Sequence, residues 1–471
     1  MLKIVFIFKM SYIMGKSVFY CNTEINSDIY TAFSWHEREG ALQRLTPPWE
    51  PLEVIEKNIG INIGASVKLK VKAGFISTPW HAEHVEYNKD QFFKDIQTKG
   101  PFSKWEHSHY FKTLNGKTLI IDEIEYQLPM HNISKYFAGS VIKKKLRRMF
   151  AYRQAVSKND IETLSSYKPA PKTIVVSGAT GVVGSNLIPY LQTQGHKTIR
   201  MLRNEKQLCI GDVCWNPYAE TMNESFEHAD VIIHLAGEPI GNANWTNKKK
   251  LSIVDSRVRS TSLLAKTISN MEKPPKLLIC ASAIGYYGDR GDEILTEESG
   301  TGKGFISHVC YHWEKAAKAA EEKGIRVVYL RIGVALSPQG GALERTYKPT
   351  AFGLGTVIGS GRQYLSWVSM DDVLYAITHI IENDNIKGAV NLTAPNPVRW
   401  KDYADTLAHV MDRPRFLRVP EWLIKTVYGQ MGREVLLASA NVQPKKLLES
   451  GFTFRYPILE DALRHQLGRT K

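Results

Sequence analysis

Three glycines, Gly178, Gly181 and Gly184, follow an apolar, β-branched run that begins at Thr173, in the spacing Gly-x-x-Gly-x-x-Gly. Behind them Val183, Leu187, Ile188 and Leu191 recur at helical intervals, so the stretch predicts a strand, a tight turn and a helix. The chemistry this suits is dinucleotide binding: a pyrophosphate must reach backbone N–H groups at a helix N-terminus, and a Cβ in the turn would block it. Cofactor contacts then fall on Gly178, Thr180, Gly181, Val182, Val183 and Gly184. Glycines so spaced also mark ordinary βα turns, so the neighbouring strands must decide. Arg203 lies 19 residues past Gly184 (203 − 184), with Arg200 before it and no carboxylate until Glu205. A carboxylate there would bond the ribose hydroxyls of NAD, whereas a guanidinium matches the 2′-phosphate of NADP in shape and charge. NADP(H) is therefore the expected cofactor, the alternative being an ordinary exposed arginine.

A second constellation lies earlier. In the strand-like run 105–111, period-2 geometry puts Trp105, His107, His109 and Phe111 on one face, and Trp80 and His84 share a face nearby. Three histidines suit a metal, but no carboxylate or cysteine completes a spacing. The expectation is no metal, and histidines that line a cavity or are hydrogen-bonded within an aromatic barrel.

The elements that carry these residues need more than one core. At 471 residues, 43% hydrophobic and 10% aromatic, the chain exceeds what a single core usually organises, and two or three domains are expected. The net charge of +14, from 61 Lys+Arg against 47 Asp+Glu, is spread along the chain, which disfavours a nucleic-acid-binding role. Its one dense basic run, 143–153, carries Ile142, Leu146, Met149 and Phe150 at helical spacing and predicts an amphipathic helix, solvated on one face, rather than a membrane or polyanion site. Five scattered cysteines without a Cys-x-x-Cys pair argue for a reducing, cytoplasmic setting and against disulfides. The opening stretch 1–10, interrupted by Lys9, is too short to span a bilayer and has no cleavage site after it; an upstream extension with Met14 as the start is expected ahead of a signal peptide.

Residues 16–157 do not alternate strand and helix: several strand-like runs, a short early helix near residues 29–36 and a long closing helix predict an α+β sheet wrapped on a helix, able to hold an apolar ligand. The segments Phe33-Ser-Trp35-His36-Glu-Arg-Glu-Gly40 through Pro47-Pro48-Trp49-Glu50, and Gly100-Pro-Phe-Ser-Lys-Trp105-Glu-His107-Ser-His109, resemble the helix-grip (START/polyketide-cyclase-like, SRPBCC) domain sometimes fused in front of epimerase-family proteins. Residues 158–172, polar and with Pro169 and Pro171, read as a linker. From 173 to 398 strands alternate with helices, which predicts a doubly wound α/β (Rossmann) domain, and 399–471 reads as a helical C-terminal extension.

This second half resembles the atypical extended short-chain dehydrogenase/reductases of the NAD-dependent epimerase family. The resemblance rests on His234-Leu235-Ala236-Gly237, Ser282-Ala283-Ile-Gly-Tyr286-Tyr287-Gly288, Trp245 with Asp255-Ser256-Arg257, Gly359-Ser-Gly361-Arg362-Gln363, Trp367 with Asp371-Asp372, Asn391 with Pro395 and Pro397, and the Lys445-Lys446 run. It implies nucleotide contacts at Leu235, Ala236 and Gly237. It also implies hydride transfer at a carbonyl or sugar-like carbon, in which a Tyr-x-x-x-Lys pair moves a proton, lysine stabilising the tyrosinate from one turn away. Tyr311 and Lys315 have that spacing. The position of the family's catalytic Ser/Thr holds Ala283; Ser282 beside it, though expected to face the other way along the strand, is the hydroxyl-bearing catalytic candidate alongside Tyr311 and Lys315. Arg331, Arg362 and Gln363 are candidate substrate contacts, and Asp371 and Asp372 read as helix-start carboxylates with a structural role. The alternative function is a cofactor-sensing regulatory protein related to cell division, with the first domain binding an apolar ligand. Substrate and oligomeric state are not written in any of these residues.

Overall fold

The computed structural model describes every residue except 1–6, 14–15, 51, 59, 74–75, 129–130, 223–225, 242–243 and 471. Met14 and the first six residues of the opening stretch thus lie outside the described residues. The chain forms two compact units, one of Met1–Ala170 with Pro189–Gly195 and Leu467–Lys471, the other of Pro171–Ile188 and His196–Gln466.

In the first unit, β1 (Ile7–Ile13), β2 (Lys16–Ile25), β3 (Leu52–Lys57), β4 (Ser66–Ala73), β5 (Ile76–Asn88), β6 (Phe92–Lys99), β7 (Lys104–Leu114) and β8 (Lys117–Gln127) make one antiparallel sheet. Its order is β1-β2-β8-β7-β6-β5-β4-β3. Helices α1 (Ile29–Glu37) and α2 (Ala41–Leu45) lie between β2 and β3, and α3 (His131–Tyr167) follows β8. Asp28 starts α1 by accepting the Thr31 N–H, an ordinary N-cap. The basic run sits on α3 as its pattern predicts: Leu146 and Phe150 are buried against Phe19, Cys21, Trp105, Ile124 and Tyr126, while Lys144, Lys145 and Arg147 are exposed.

The expected linker at 158–172 is corrected. The helix continues to Tyr167, and only 168–172 lies outside helix and strand, with Lys168 in the left-handed region at φ +44°. Its last turns look polar but are not solvated: Asp160 is fully buried in a two-pronged ion pair with Arg44, at 2.8 Å for each N···O contact, and Ile161 and Leu164 join the core. Composition alone reads a buried carboxylate as a surface one.

In the second unit, β9 (Thr173–Ser177), α4 (Val182–Thr193, counted with the first unit from Pro189 on), β10 (Lys197–Leu202), β11 (Val213–Asn216), β12 (Thr221–Met222) and β13 (Val231–His234) are followed by α5 (Asn247–Ser269), β14 (Leu277–Ala283), α6 (Phe305–Lys315), β15 (Arg326–Ile332), α7 (Met370–Glu382) and β16 (Gly388–Leu392). The sheet order is β12-β11-β10-β9-β13-β14-β15-β16, parallel except for the β11–β12 pair. Its central strands are uninterrupted apolar runs, as a sheet covered on both faces requires. From β9 the chain steps outward to β10, then returns to the other side of β9 as β13. Connections therefore leave the β9 and β13 ends in opposite directions, which opens a crevice at the carboxyl edge where such sheets bind ligands.

The C-terminal portion is largely helical, with helices at Trp400–Met411, Glu421–Met431, Lys445–Glu449 and Leu459–Leu467. Asp371 and Asp372 fasten it to α7. Ser369 caps the helix, Asp372 accepts the backbone N–H groups of Arg455 and Tyr456, and Asp371 binds the side chains of His465 and Gln466. Among the described residues no helix is long and apolar enough to cross a membrane. The five cysteines are free, Cys21, Cys280 and Cys310 being buried.

Candidate functional site

The glycine turn runs from the end of β9 into α4. Gly178 has φ +69°, a left-handed conformation, and a Cβ on it would lie 2.7 to 2.8 Å from main-chain atoms of Leu235 and Ala236. A Cβ on Gly184 would lie 2.3 Å from Gly178 O. These two glycines let the β9 turn, the β13 turn and α4 close on one another. Gly181 is different: it is exposed, and a Cβ there meets only Gly178 O, at 3.2 Å. The chain's own packing tolerates a side chain at 181 far better, so the glycine keeps the approach to the α4 N-terminus clear. That open cradle fits a dinucleotide phosphate.

Beside it, β10 ends at Leu202 and Arg203 follows, exposed. Of the two arginines, Arg200 is held by Asp212, with Nε 3.1 Å from Oδ1. Leu235 and Ala236 are half-buried and Gly237 exposed at the end of β13. His234, fully buried, joins the two turns: its Nδ1 is 2.6 Å from Ser177 Oγ and its Nε2 3.1 Å from Ser260 Oγ. The Ser260 hydroxyl donates to main-chain carbonyls of Ser256 and Arg257, so the imidazole carries its hydrogen on Nε2 and accepts from Ser177. Burial pushes His234 down to about 4, which keeps it neutral. It is a structural link, not a ligand.

Two contributors have no assigned role in the sequence reading. Arg257 of α5 donates to Glu238 O at 3.0 Å, lies over the Trp313 ring and packs against Gly237, where a Cβ would come within 3.1 Å of its Cζ. The loop after Leu336 brings Gly340 against Val182, where a Cβ would lie 2.4 Å from Val182 Cγ2, and Gln339 Oε1 accepts from Asn186 at 3.0 Å. The Gly340-Gly341 pair signals a turn, but nothing local says that the turn meets α4.

The catalytic candidates are divided. Tyr311 is half-buried on α6, with the exposed Lys315 ammonium 4.4 Å from its ring centroid, so the i,i+4 pair is formed. Ser282 belongs to another network: its hydroxyl donates to Glu314 Oε1 at 2.7 Å. Ala283, half-buried, packs against an apolar cluster that includes Trp245, Ile306, Val309 and Cys310. The candidate substrate contacts separate likewise. Arg331 is buried, its guanidinium donating to both Glu314 oxygens at 2.9 and 2.8 Å and to Tyr287 OH at 2.9 Å, with its face 3.5 Å from the Tyr286 ring centroid. All three of its nitrogens have protein partners, so the structure places it in an internal ion pair rather than at an open surface. Gln363 is also buried and donates to Ile358 O and Leu436 O, whereas Arg362 is exposed.

The first unit has a separate, partly open cavity of 460 Å³, lined by apolar side chains including Leu69, Trp80, Phe93, Phe102 and Leu146. His107 and His109 lie in its wall as expected, but carboxylates are present too, both brought in by strand pairing: Asp95 from β6 also lines the cavity, and Asp122 from β8 lies against the two imidazoles.

Comparison with known proteins agrees with this geometry. Residues 174–393 match the NAD dependent epimerase/dehydratase family and residues 419–466 a domain of unknown function, DUF1731. The chain is 38% identical over 302 residues to the epimerase family protein YfhF of Bacillus subtilis, covering 63% of this chain and 99% of that one. A crystal structure of the nucleoside-diphosphate sugar epimerase from Corynebacterium glutamicum aligns over 95% of this chain and 90% of its own, at TM-score 0.79 and 32% identity. That of human epimerase family protein SDR39U1, solved with NADPH, aligns over 62% of this chain and 98% of its own, at TM-score 0.58 and 30% identity. The chain therefore belongs to the NAD-dependent epimerase/dehydratase family, in the branch that carries a C-terminal DUF1731 region.

Proposed function

We propose that the second unit is an NADP(H)-binding oxidoreductase acting at a carbonyl or sugar-like carbon, behind a first unit that is a helix-grip (SRPBCC-like) domain binding an apolar ligand in its cavity. The observation that carries the cofactor is the turn itself: Gly178 and Gly184 are demanded by main-chain packing, whereas a Cβ on the exposed Gly181 would meet only Gly178 O, at 3.2 Å, which supports a turn kept clear for a ligand. Backbone N–H groups at 180–183 would hold the pyrophosphate, Leu235, Ala236 and Gly237 would border it, and Arg203 would meet the 2′-phosphate. Bound there, NADP(H) supplies or accepts hydride. Tyr311, with the Lys315 charge beside its ring, is the group that moves the proton; Arg362 is the remaining exposed candidate on the substrate side. NADPH in the human relative and the sugar nucleotide in the name of the Corynebacterium relative support this choice of cofactor and substrate class. Five free cysteines and the absence of a membrane-crossing helix among the described residues fit a cytoplasmic setting.

Titration with NADPH and NADH, read by nicotinamide fluorescence, tests this. NADPH is expected to bind at least tenfold tighter, and Arg203→Glu to lose that preference by exchanging attraction of the 2′-phosphate for repulsion. Binding of neither cofactor would sink the proposal, and an unchanged preference would remove Arg203 from it.

A second reading, an NADPH-sensing regulatory protein with little turnover, is favoured by one feature: Ala283 sits in an apolar cluster and the Ser282 hydroxyl is taken by Glu314. Tyr311→Phe separates the two. An enzyme loses at least 100-fold in turnover at unchanged NADPH affinity, while a sensor loses nothing in its regulatory readout.

A further inference from the structure

Four ionisable side chains from three adjacent strands meet in the first unit, three of them, Asp95, His107 and His109, lining its cavity and the fourth, Asp122, lying against the two histidines. Antiparallel register sets Asp95 opposite His107 and Asp122 opposite His109, and cross-strand partners share a face of the sheet. The imidazole nitrogens then divide into two pairs. His107 Nε2 and His109 Nδ1 lie 3.1 and 2.9 Å from one oxygen, Asp122 Oδ1, the second as an ion-pair approach without the alignment of a hydrogen bond. The opposite nitrogens, His107 Nδ1 and His109 Nε2, lie 3.6 and 3.8 Å from Asp95 Oδ1. Those distances are too long for hydrogen bonds. They approach the edge of a tetrahedron of donors around a metal, which for bonds of about 2.0–2.2 Å measures roughly 3.3–3.6 Å.

Ion pairing with Asp122 accounts for the near nitrogens of both rings but not for the far ones, which face the same Asp95 oxygen without bonding to it. Ligating histidines, by contrast, present one nitrogen to the metal while the other faces a carboxylate that fixes the ring. Here a single aspartate stands behind both rings. Both histidines are buried, and His84, opposite Asp95 on β5, has a buried Nδ1 without a hydrogen-bond partner. Arg153 also lines the cavity and is balanced by the charges of Asp122 and Asp95, so a dication does not overload the site with positive charge. Two imidazoles and one carboxylate favour a first-row transition metal over calcium or magnesium.

We propose that Asp95 Oδ1, His107 Nδ1 and His109 Nε2 bind one divalent transition-metal ion of the zinc class, oriented by Asp122, with a fourth position open to the cavity. This site is independent of the nucleotide turn. An ion with three protein donors and an open position gives the apolar cavity a point that can ligate an oxygen- or nitrogen-bearing head of its occupant.

The test uses the full chain. Metal content is measured after purification without chelator, and the stripped protein is titrated with Co²⁺ while visible absorption is followed. One equivalent per chain, with ligand-field bands and no thiolate charge transfer, is expected. His109→Ala and Asp95→Asn should weaken Co²⁺ binding by at least 100-fold and Asp122→Asn by about 10- to 100-fold, with far-UV circular dichroism unchanged. If His109→Ala fails to fold, Asp95→Asn, close in shape, carries the test. Absence of metal and of Co²⁺ bands in the parent protein overturns the proposal, as do bands that survive both substitutions, which would place the ion elsewhere, for instance at the neighbouring rings of His308 and His312.

Discussion

Glu314→Ala is expected to cost the second unit about 3–5 kcal/mol, the range for removing one partner of a buried ion pair. Glu314 neutralises Arg331, which is only 4% exposed, through two hydrogen bonds, and it accepts a third from Ser282. Without the carboxylate, the guanidinium keeps only the Tyr287 hydroxyl and the ring of Tyr286, and the Ser282 hydroxyl loses its acceptor. Glu314→Gln, which retains one acceptor oxygen, should cost less. Pairing Glu314→Leu with Arg331→Met should recover most of the loss, since replacing both partners removes the stranded charge. Urea unfolding followed by near-UV circular dichroism reads all of these. A Glu314→Ala protein within about 1 kcal/mol of the parent would mean that water reaches Arg331, and with it the substrate role that its burial argues against.

The second large effect separates two glycines three residues apart. Gly181→Ala is expected to weaken NADPH binding by at least 100-fold, about 2.7 kcal/mol, while leaving the unfolding transition of the second unit in place. Gly178→Ala should do both kinds of damage. Its methyl would enter the main chain of Leu235 and Ala236 at 2.7 to 2.8 Å, at a φ of +69° that alanine disfavours, so the fold weakens together with the site. Equal loss of stability in the two variants would show that the turn is built for packing alone.

These contrasts also mark what a sequence reading can reach. The glycine turn, the strand and helix alternation and the Tyr311–Lys315 pair were legible because each is a matter of spacing within one or two elements. The Asp95, His107, His109 and Asp122 group was not: its members come from three strands, and only the β6–β7 and β7–β8 registers bring the carboxylates to the histidines. Arg331 read as a ligand contact because a strand-end arginine looks available until Glu314 arrives from α6, 17 positions away. The segment 158–167 read as a linker because Asp160 looks solvated until Arg44, 116 positions away, is seen against it. In each case the partner that decides the role was remote in sequence.

The close approaches that glycines allow in the second unit differ in what a descendant sequence can repair. At Gly340 the obstacle to a side chain is Val182 Cγ2, and at Gly285 it is Ile306 Cγ2. A second substitution that trims the valine or isoleucine makes room, so these glycines can drift as coupled pairs. At Gly178 the obstacle is carbonyl carbon, oxygen and amide nitrogen, atoms that every residue type at 235 or 236 brings with it. No single exchange elsewhere can compensate, and a lineage that loses this glycine must rebuild the β13 turn to keep the cradle.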